Sequence, residues 1–174
     1  MLQTKSIGAL VVMLSLPFLL TAQTKTGQVT NYDYPWKKYK LLVRFNPDWK
    51  VSKITDEKML ANSNDLQLEV VPWKNGGAST QLITKQALAA MKDLGKNIVL
   101  NEQDRGIKRG FAQYLVFTQF KGKETQYFVI VALKDDRGST RLLAKFHWKG
   151  NKGISAKMKK IYTIVDSFEK ITSK

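Results

Sequence analysis

The 174-residue chain has no cysteine and a single histidine, His147. Without thiolates or further imidazoles it lacks the usual ligands of a zinc site and a cysteine nucleophile. A Ser-His-Asp triad would have to be built on His147 alone. We therefore predict no catalytic residue, no metal site and no cofactor. His147 is interpreted as a surface or packing residue that shares the wetter face of its strand with Lys145.

Acidic residues are also scarce, with 14 aspartates and glutamates against 29 lysines and arginines. The adjacent Asp135 and Asp136 precede Arg137 and Gly138 in a segment typical of a hairpin turn, where aspartate hydrogen-bonds the local backbone. No other pair of acids stands out as a general acid and base. A hydrolase is retained as an alternative that would depend on two carboxylates meeting in one cleft.

The longest apolar run lies near the N-terminus, from Ile7 to Leu20, after one lysine and before Thr21 and Ala22. This order of charged, apolar and small residues is typical of a secretory signal peptide. The run has 14 residues, whereas a membrane-spanning helix needs about 20. We predict cleavage after Ala22, which would make the mature protein soluble, either periplasmic or secreted, without a transmembrane segment. An uncleaved membrane tether is the alternative.

The rest of the chain predicts one domain. Residues 1–22 are the predicted signal peptide, residues 23–31 a flexible polar leader, and residues 32–174 a single folding unit. A chain of this length buries enough surface to be stable without disulfides. No internal repeat or proline-rich linker indicates a second domain.

The predicted mature chain has 28 basic and 14 acidic residues, a net charge of +14. Such an excess of cations favours anionic partners, among them polysaccharide and lipid headgroups. Because 24 of the 29 basic residues in the whole chain are lysines, which lack the bidentate fork of arginine, nucleic acid is disfavoured as a partner. A surface that is only solvated would explain the same composition.

Hydrophobic periodicity predicts an α+β fold. Apolar residues at helical spacing predict helices over 79–94, with Ser79 as N-cap and Gly95 as a left-handed terminator, and over 154–171. A short helical turn is expected around Met59-Leu60-Ala61. Strands are predicted over 39–45, 66–72, 97–101, 111–120, 126–133 and 140–148.

The run Tyr127–Leu133 is apolar on both alternations, which indicates a central strand covered on both faces. Short connections between the later strands favour antiparallel neighbours. We therefore expect an antiparallel sheet flanked by helices on both faces, an α/β/α sandwich.

The order of elements resembles that of the PsbP-like superfamily, which includes the photosystem II extrinsic subunit P, Mog-type Ran-binding proteins and DcrB-like periplasmic proteins. The matching features are the turn Phe45-Asn46-Pro47-Asp48-Trp49, a middle helix, a run of antiparallel strands, and a closing helix that ends Ile164-Val165-Asp166-Ser167-Phe168. The resemblance spans residues 38–171. It implies a PsbP-like fold and a binding or assembly role without catalysis, and it transfers no functional residue.

Aromatic residues and one glycine-rich loop supply the candidates for ligand binding. Flat amphipathic rings can bind a sugar or a peptide, and glycines before a helix N-terminus expose amides that can hold an anion. We interpret Trp49 as a packing residue, and Tyr34 and Trp36 as an exposed pair. The candidate binding residues are Tyr34, Trp36, Trp73, Lys74, Gly76 and Gly77.

The sequence thus predicts an exported, non-enzymatic binding or assembly-accessory domain that recognises a protein or an envelope component. A binder of anionic glycan or lipid headgroups through a lysine-rich surface is the first alternative, and a hydrolase is the second.

The predicted cleavage site is tested by mass spectrometry of the protein recovered after export. We expect an N-terminus at Gln23, because small residues precede the cleavage site of a signal peptide. Recovery of only the form that begins at Met1 would contradict the prediction.

Overall fold

The computed structural model describes residues 31–74, 78–137 and 139–172, which form ten strands and two α-helices. The predicted signal peptide, and the leader up to residue 30, lie outside this part of the chain. The strands are β1 Tyr32–Trp36, β2 Leu41–Phe45, β3 Lys50–Ile54, β4 Met59–Ser63, β5 Leu66–Pro72, β6 Lys96–Lys108, β7 Phe111–Lys121, β8 Thr125–Asp135, β9 Arg141–Lys149 and β10 Glu169–Lys170. The helices are α1 Thr80–Ala90 and α2 Ile154–Ser167.

Seven strands form one antiparallel sheet in the order β3-β4-β5-β9-β8-β7-β6. Within it, β8 is the strand that is apolar on both alternations, and every residue from Tyr127 to Leu133 is buried. Val129 and Val131 pack on one face of the sheet, whereas Ile130 and Ala132 pack on the other. The central position predicted for this segment and the α+β fold are therefore confirmed.

Helix α1 covers one face of the sheet over β7 and β8. Ser79 is its N-cap, as predicted, and its Oγ accepts a hydrogen bond from the backbone N–H of Leu82 at 3.1 Å. Ile83 and Ala87 on the inner side pack against apolar residues of β7 and β8. The helix ends at Ala90, so the predicted end at Leu94 is wrong. A short 3-10 turn over Lys92–Leu94 follows.

Helix α2 and a second, three-stranded sheet cover the other face. Ile161, Ile164 and Val165 of α2 are fully buried in the same cluster as Val129 and Val131 of β8. The small sheet has the order β1-β2-β10, with both pairs antiparallel, and β2 also contacts α2. The sequence predicted α2 but not this sheet. The helix ends at Ser167, so the predicted end at Ile171 is wrong, because Glu169–Lys170 pair with β2 as β10.

Salt bridges connect strands within the small sheet and join that sheet and α2 to the end of β6 and the turn after it. Arg44 of β2 contacts Glu169 of β10 at 2.6 Å, and Arg109 reaches the same carboxylate at 3.1 Å. Arg105 of β6 pairs with Asp166 of α2 at 2.5 Å, and its side chain is only 6% exposed. These contacts fix the end of the chain against the large sheet.

Trp49 belongs to the core, as predicted. Its side chain is 4% exposed and lies between Phe45 and Phe146, with ring centroids at 5.7 and 6.2 Å. Its backbone N–H bonds the carbonyl of Asn46, which closes the turn after β2. The indole therefore seals one end of the cluster between the sheet and α2.

Three further segments differ from the sequence-based expectations. Met59-Leu60-Ala61 is part of strand β4 and not a helical turn. The segment Lys50–Ile54, for which no strand was predicted, is edge strand β3. Strand β6 runs for 13 residues, whereas a strand was predicted only over 97–101. The prediction stopped short because bulges near Leu100 and Arg105 break the alternation of side chains along the strand.

Among the described residues, neither helix has the length and hydropathy that crossing a bilayer requires.

We expect Trp49→Ala to lower the free energy of unfolding by about 3–5 kcal/mol, since truncation of a buried aromatic leaves a cavity in the core. Chemical denaturation measures the change. The matched control is Tyr32→Ala, because the side chain of Tyr32 is 51% exposed and should cost no more than about 0.5 kcal/mol. Equal stability of the Trp49 variant and the wild-type protein would show that the indole does not hold the core.

Candidate binding groove

A groove lies where α1 leaves one face of the large sheet uncovered. Along β4, β5 and β9, alternate side chains such as Ala61, Leu68 and Phe146 are buried against the opposite layer. The residues between them point to the α1 side and stay half-buried or exposed. They enclose about 530 Å³ together with neighbouring residues. These side chains are Leu60, Asn62, Gln67, Glu69, Lys145 and His147.

Strand register aligns the groove side chains in rows across the sheet. Asn62 of β4 is opposite Gln67 of β5, which is opposite His147 of β9. In the next row, Glu69 is opposite Lys145. Neighbouring strands are about 4.8 Å apart, so each row presents polar groups at short, fixed intervals.

His147 closes one side of the groove. Its ring stacks on Phe128 with centroids 4.5 Å apart, and its Nε2 lies 2.9 Å from Oε1 of Gln126, a hydrogen-bond acceptor. Burial lowers the pKa of His147 below its usual 6.5, and the nearby Lys149 cation lowers it further, while Glu124 opposes both. The imidazole is therefore neutral at pH 7.

The charges in the groove are balanced. Glu69 and Lys145 form a salt bridge at 2.6 Å, and both side chains are about one-third exposed. By contrast, the carboxamides of Asn62, Asn64 and Gln67 are exposed and have no hydrogen-bond partner within the described part of the chain. A carboxamide both donates and accepts, so the groove offers neutral hydrogen-bonding groups on β4, on β5 and in the turn between them.

The predicted binding residues are not brought together at this groove. Trp36 is 3% exposed, and its Nε1 donates to the carbonyl of Thr55 at 2.8 Å, so the exposure predicted for it is wrong. Tyr34 is half-buried against Phe45 in the cluster on the α2 side of the sheet.

The second group of predicted residues lies on the α1 side of the large sheet, opposite Tyr34 and Trp36. Trp73 packs at the margin of the cluster beneath α1, and Lys74 is exposed. Gly76 and Gly77 lie outside the described residues. Binding roles for Tyr34, Trp73 and Lys74 remain predictions, but the two groups do not share a site.

A larger cavity of about 710 Å³ lies at the other end of β8, near β10. The charged residues of β10 that line this cavity form salt bridges with neighbouring side chains. Lys170 contacts Asp136 and lies 3.8 Å from Asp135, while Glu169 is held by arginines. The arginine contacts lower the pKa of Glu169, the bond from Arg44 contributing most. These contacts fasten β10 to the large sheet, so we place the candidate site in the groove.

The groove does not bring two carboxylates together beside His147, as a hydrolase site would require. Among the residues that line it, Glu69 is the acidic one, and it is paired with Lys145. Over residues 31–74, 78–137 and 139–172, no group of three histidine, aspartate or glutamate side chains is placed to hold a metal ion. The groups that the groove presents are suited to hydrogen bonding.

Sequence reasoning missed the groove because one of its three strands is β4, where a helical turn was predicted around Met59-Leu60-Ala61. A signal was present in β5 and β9, where the polar residues Gln67, Glu69, Lys145 and His147 alternate with apolar ones. Pairing those strands would have placed the four side chains on one surface.

The chain has an α+β fold in which a seven-stranded antiparallel sheet lies between α1 and a layer made of α2 and the small sheet. The same fold occurs in the Ran-binding protein Mog1p of Saccharomyces cerevisiae, with a TM-score of 0.59 and 10% identity over 82% of this chain and 96% of that one. The structure of a Mog1 point mutant gives a TM-score of 0.60 and 9% identity over 83% and 97% of the two chains.

A third similar structure is LpqN, a Mycobacterium tuberculosis protein involved in cell envelope biogenesis. Its TM-score is 0.53, with 9% identity over 80% of this chain and 90% of LpqN. No protein-family model matches the sequence, and no curated protein matches it. At this level of identity the likeness establishes the fold alone.

The lowered pKa of His147 predicts how stability depends on pH. As the pH falls below about 6.5, the unfolded chain takes up a proton before the folded protein does, so the free energy of unfolding decreases until the lower folded pKa is passed. Since the chain has one histidine, its imidazole resonance in NMR reports this titration directly. We expect a midpoint below 6.5.

Lys149→Gln should move that midpoint upward, because it removes a cation that disfavours the imidazolium. His147→Gln should lose the pH dependence of stability that the wild-type protein shows just below pH 6.5. A wild-type midpoint at or above 6.5 would show that the imidazole is not held in its neutral form.

Proposed function

We propose that the protein is an exported, soluble, non-enzymatic binding domain of the PsbP-like superfamily. It recognises a protein or another component of the cell envelope through the groove over β4, β5 and β9. The observation that carries this proposal is a set of free carboxamides beside a neutral imidazole: Asn62 and Gln67 on paired strands, and Asn64 in the turn between them.

The groove is preorganised for a ligand. Asn62 and Gln67 stand on paired strands of the large sheet, and Glu69 and Lys145 hold each other in place at 2.6 Å. Because the backbone of the site is already fixed by strand pairing, binding has to order only the side chains, which limits the conformational entropy lost and favours affinity. Exposed carboxamides also impose selectivity, since a partner must satisfy them or leave them unpaired.

A binding role agrees better with the contacts of the groove than a hydrolytic one. The hydrogen bond of His147 goes to the amide of Gln126, and no carboxylate orients its ring among the described residues. Glu69 is paired with a lysine and is not positioned beside a second acid. General acid–base catalysis would need a group free to exchange a proton with a substrate.

The fold supports the same proposal. Mog1p is a Ran-binding protein, and LpqN is involved in cell envelope biogenesis. The order of charged, apolar and small residues within 1–22 supports export. Together these suggest that the partner of this chain is a macromolecule of the envelope.

Site-specific photocrosslinking tests the groove. Because the chain has no cysteine, Gln67→Cys gives a single attachment point for a thiol-reactive benzophenone. The matched control is Ser155→Cys, an exposed residue of α2 on the other side of the sheet. With an envelope fraction from the source organism, we expect a discrete adduct from the groove position and none from the control.

Adding Asn62→Leu to the Gln67→Cys protein should lower the adduct yield by about fivefold, the effect of losing one neutral hydrogen bond. Circular dichroism confirms that the variants are folded. The groove would be excluded as the binding surface if Ser155→Cys gave the same adduct, or if Asn62→Leu left the yield unchanged.

A further inference from the structure

One end of the large sheet carries a cluster of lysines that the groove does not use. We call it the lysine end, and it consists of Lys92, Lys96, Lys121, Lys123, Lys149 and Lys152. All six residues are exposed. They come from the 3-10 turn before β6, the start of β6, the last residues of β7 and β9, the β7–β8 turn and the segment after β9.

The backbone brings these segments together. Lys96 is the register partner of Lys121, and Lys149 is the partner of Gln126 at the start of β8. Gly95 packs directly on the backbone of Lys121 and Gly122, where a β-carbon on Gly95 would collide with the carbonyl. The close approach of these two loops places Lys92 and Lys96 beside the β7–β8 turn.

The lysine end holds more positive charge than its own acids balance. Lys149 pairs with Glu124 at 2.7 Å, and Asp93 is the other acidic residue within these segments. Six lysines against two carboxylates leave a net charge of +4. The remaining five lysines form no salt bridge with any described residue.

The pairing of Lys96 with Lys121 is costly in the free protein. Like charges directly opposite each other on neighbouring strands destabilise a sheet. An anionic surface that contacts both residues would remove this repulsion. The pairing of these two lysines therefore favours binding to a negatively charged partner.

We propose that the lysine end docks the protein on an anionic lipid bilayer. Clusters of four to eight basic residues bind anionic lipid surfaces, and each residue close to the membrane strengthens binding about fivefold. All six cations are lysines, which act as point charges and need no fixed geometry from their partner. This suits the mobile headgroups of a bilayer better than the fixed sulfates or carboxylates of a glycan.

Apolar side chains next to the cluster fit the same partner. Val99 and Leu100 follow Lys96 on β6 and are 44% and 46% exposed. At about 3.3 Å per residue, they lie roughly 10–13 Å along the strand from Lys96. Exposed apolar groups beside a basic cluster can enter the headgroup region and add to the electrostatic attraction.

Vesicle cosedimentation tests this proposal with the protein that begins at Gln23, which keeps every described residue and lacks the apolar segment that would itself bind lipid. The vesicles are phosphatidylcholine alone and phosphatidylcholine with about 30% phosphatidylglycerol. We expect binding to the anionic vesicles only, and loss of that binding at about 0.5 M salt, where charges are screened within a few ångströms.

The decisive variant replaces Lys92, Lys96, Lys121 and Lys123 with glutamine. It should weaken binding to anionic vesicles by roughly 600-fold, because each of the four lysines near the surface contributes about fivefold. The matched control replaces four exposed lysines elsewhere, Lys37, Lys50, Lys53 and Lys85, which gives the same net charge. The control should bind nearly as well as the wild-type protein.

Each other outcome overturns the proposal. Equal loss in the two variants would show that overall charge, and not this surface, drives binding. Retention of binding by the first variant would exclude the lysine end. Binding to an anionic polysaccharide without binding to the anionic vesicles would assign the surface to a glycan.

Discussion

The structure depends on one strand that must be covered on both faces. Residues Tyr127–Leu133 of β8 are apolar at every position and fully or nearly buried. A strand with this pattern is stable only between two layers, because each face would otherwise leave apolar surface in water. Helix α1 supplies one layer, and α2 with the small sheet supplies the other. The remaining strands extend this central unit to both sides.

The two layers are unequal, and the groove follows from that difference. On the α2 side, the helix and the small sheet together cover β4, β5 and β9 as well as β8. On the α1 side, an 11-residue helix covers β7 and β8 but leaves the neighbouring strands open. The uncovered side chains are mostly polar, among them Asn62, Gln67 and Glu69. These strands therefore bury one face and leave the other open as a groove.

Much of the large sheet could be predicted, because its signals are local. The apolar run of β8, the alternation of β5 and the N-cap at Ser79 each reflect a rule that acts within a few residues. The turn at Asp135 is similar, since its carboxylate accepts hydrogen bonds from the backbone of Thr140 and the hydroxyl of Ser139. Trp49 was also assigned correctly, because a proline-bounded strand followed by a large aromatic indicates core packing.

The small sheet and the groove could not be predicted because they arise from contacts between distant segments. Strand β10 has two residues and exists only where the end of α2 meets β2. Leu60 made β4 look helical, since it interrupts the alternation of Met59 and Ala61, and its half-buried position at the groove is set by tertiary structure. Trp36 lies in a polar sequence, yet β1 folds over the core and buries it.

Native-state hydrogen exchange tests the central claim most directly, because it measures the free energy of opening at each backbone amide. If the doubly covered strand is the element on which the fold depends, the amides of β8 will exchange only through global unfolding, and those of the edge strand β6 will exchange through smaller openings. Amides of β8 that exchange as fast as those of β6 would contradict the account.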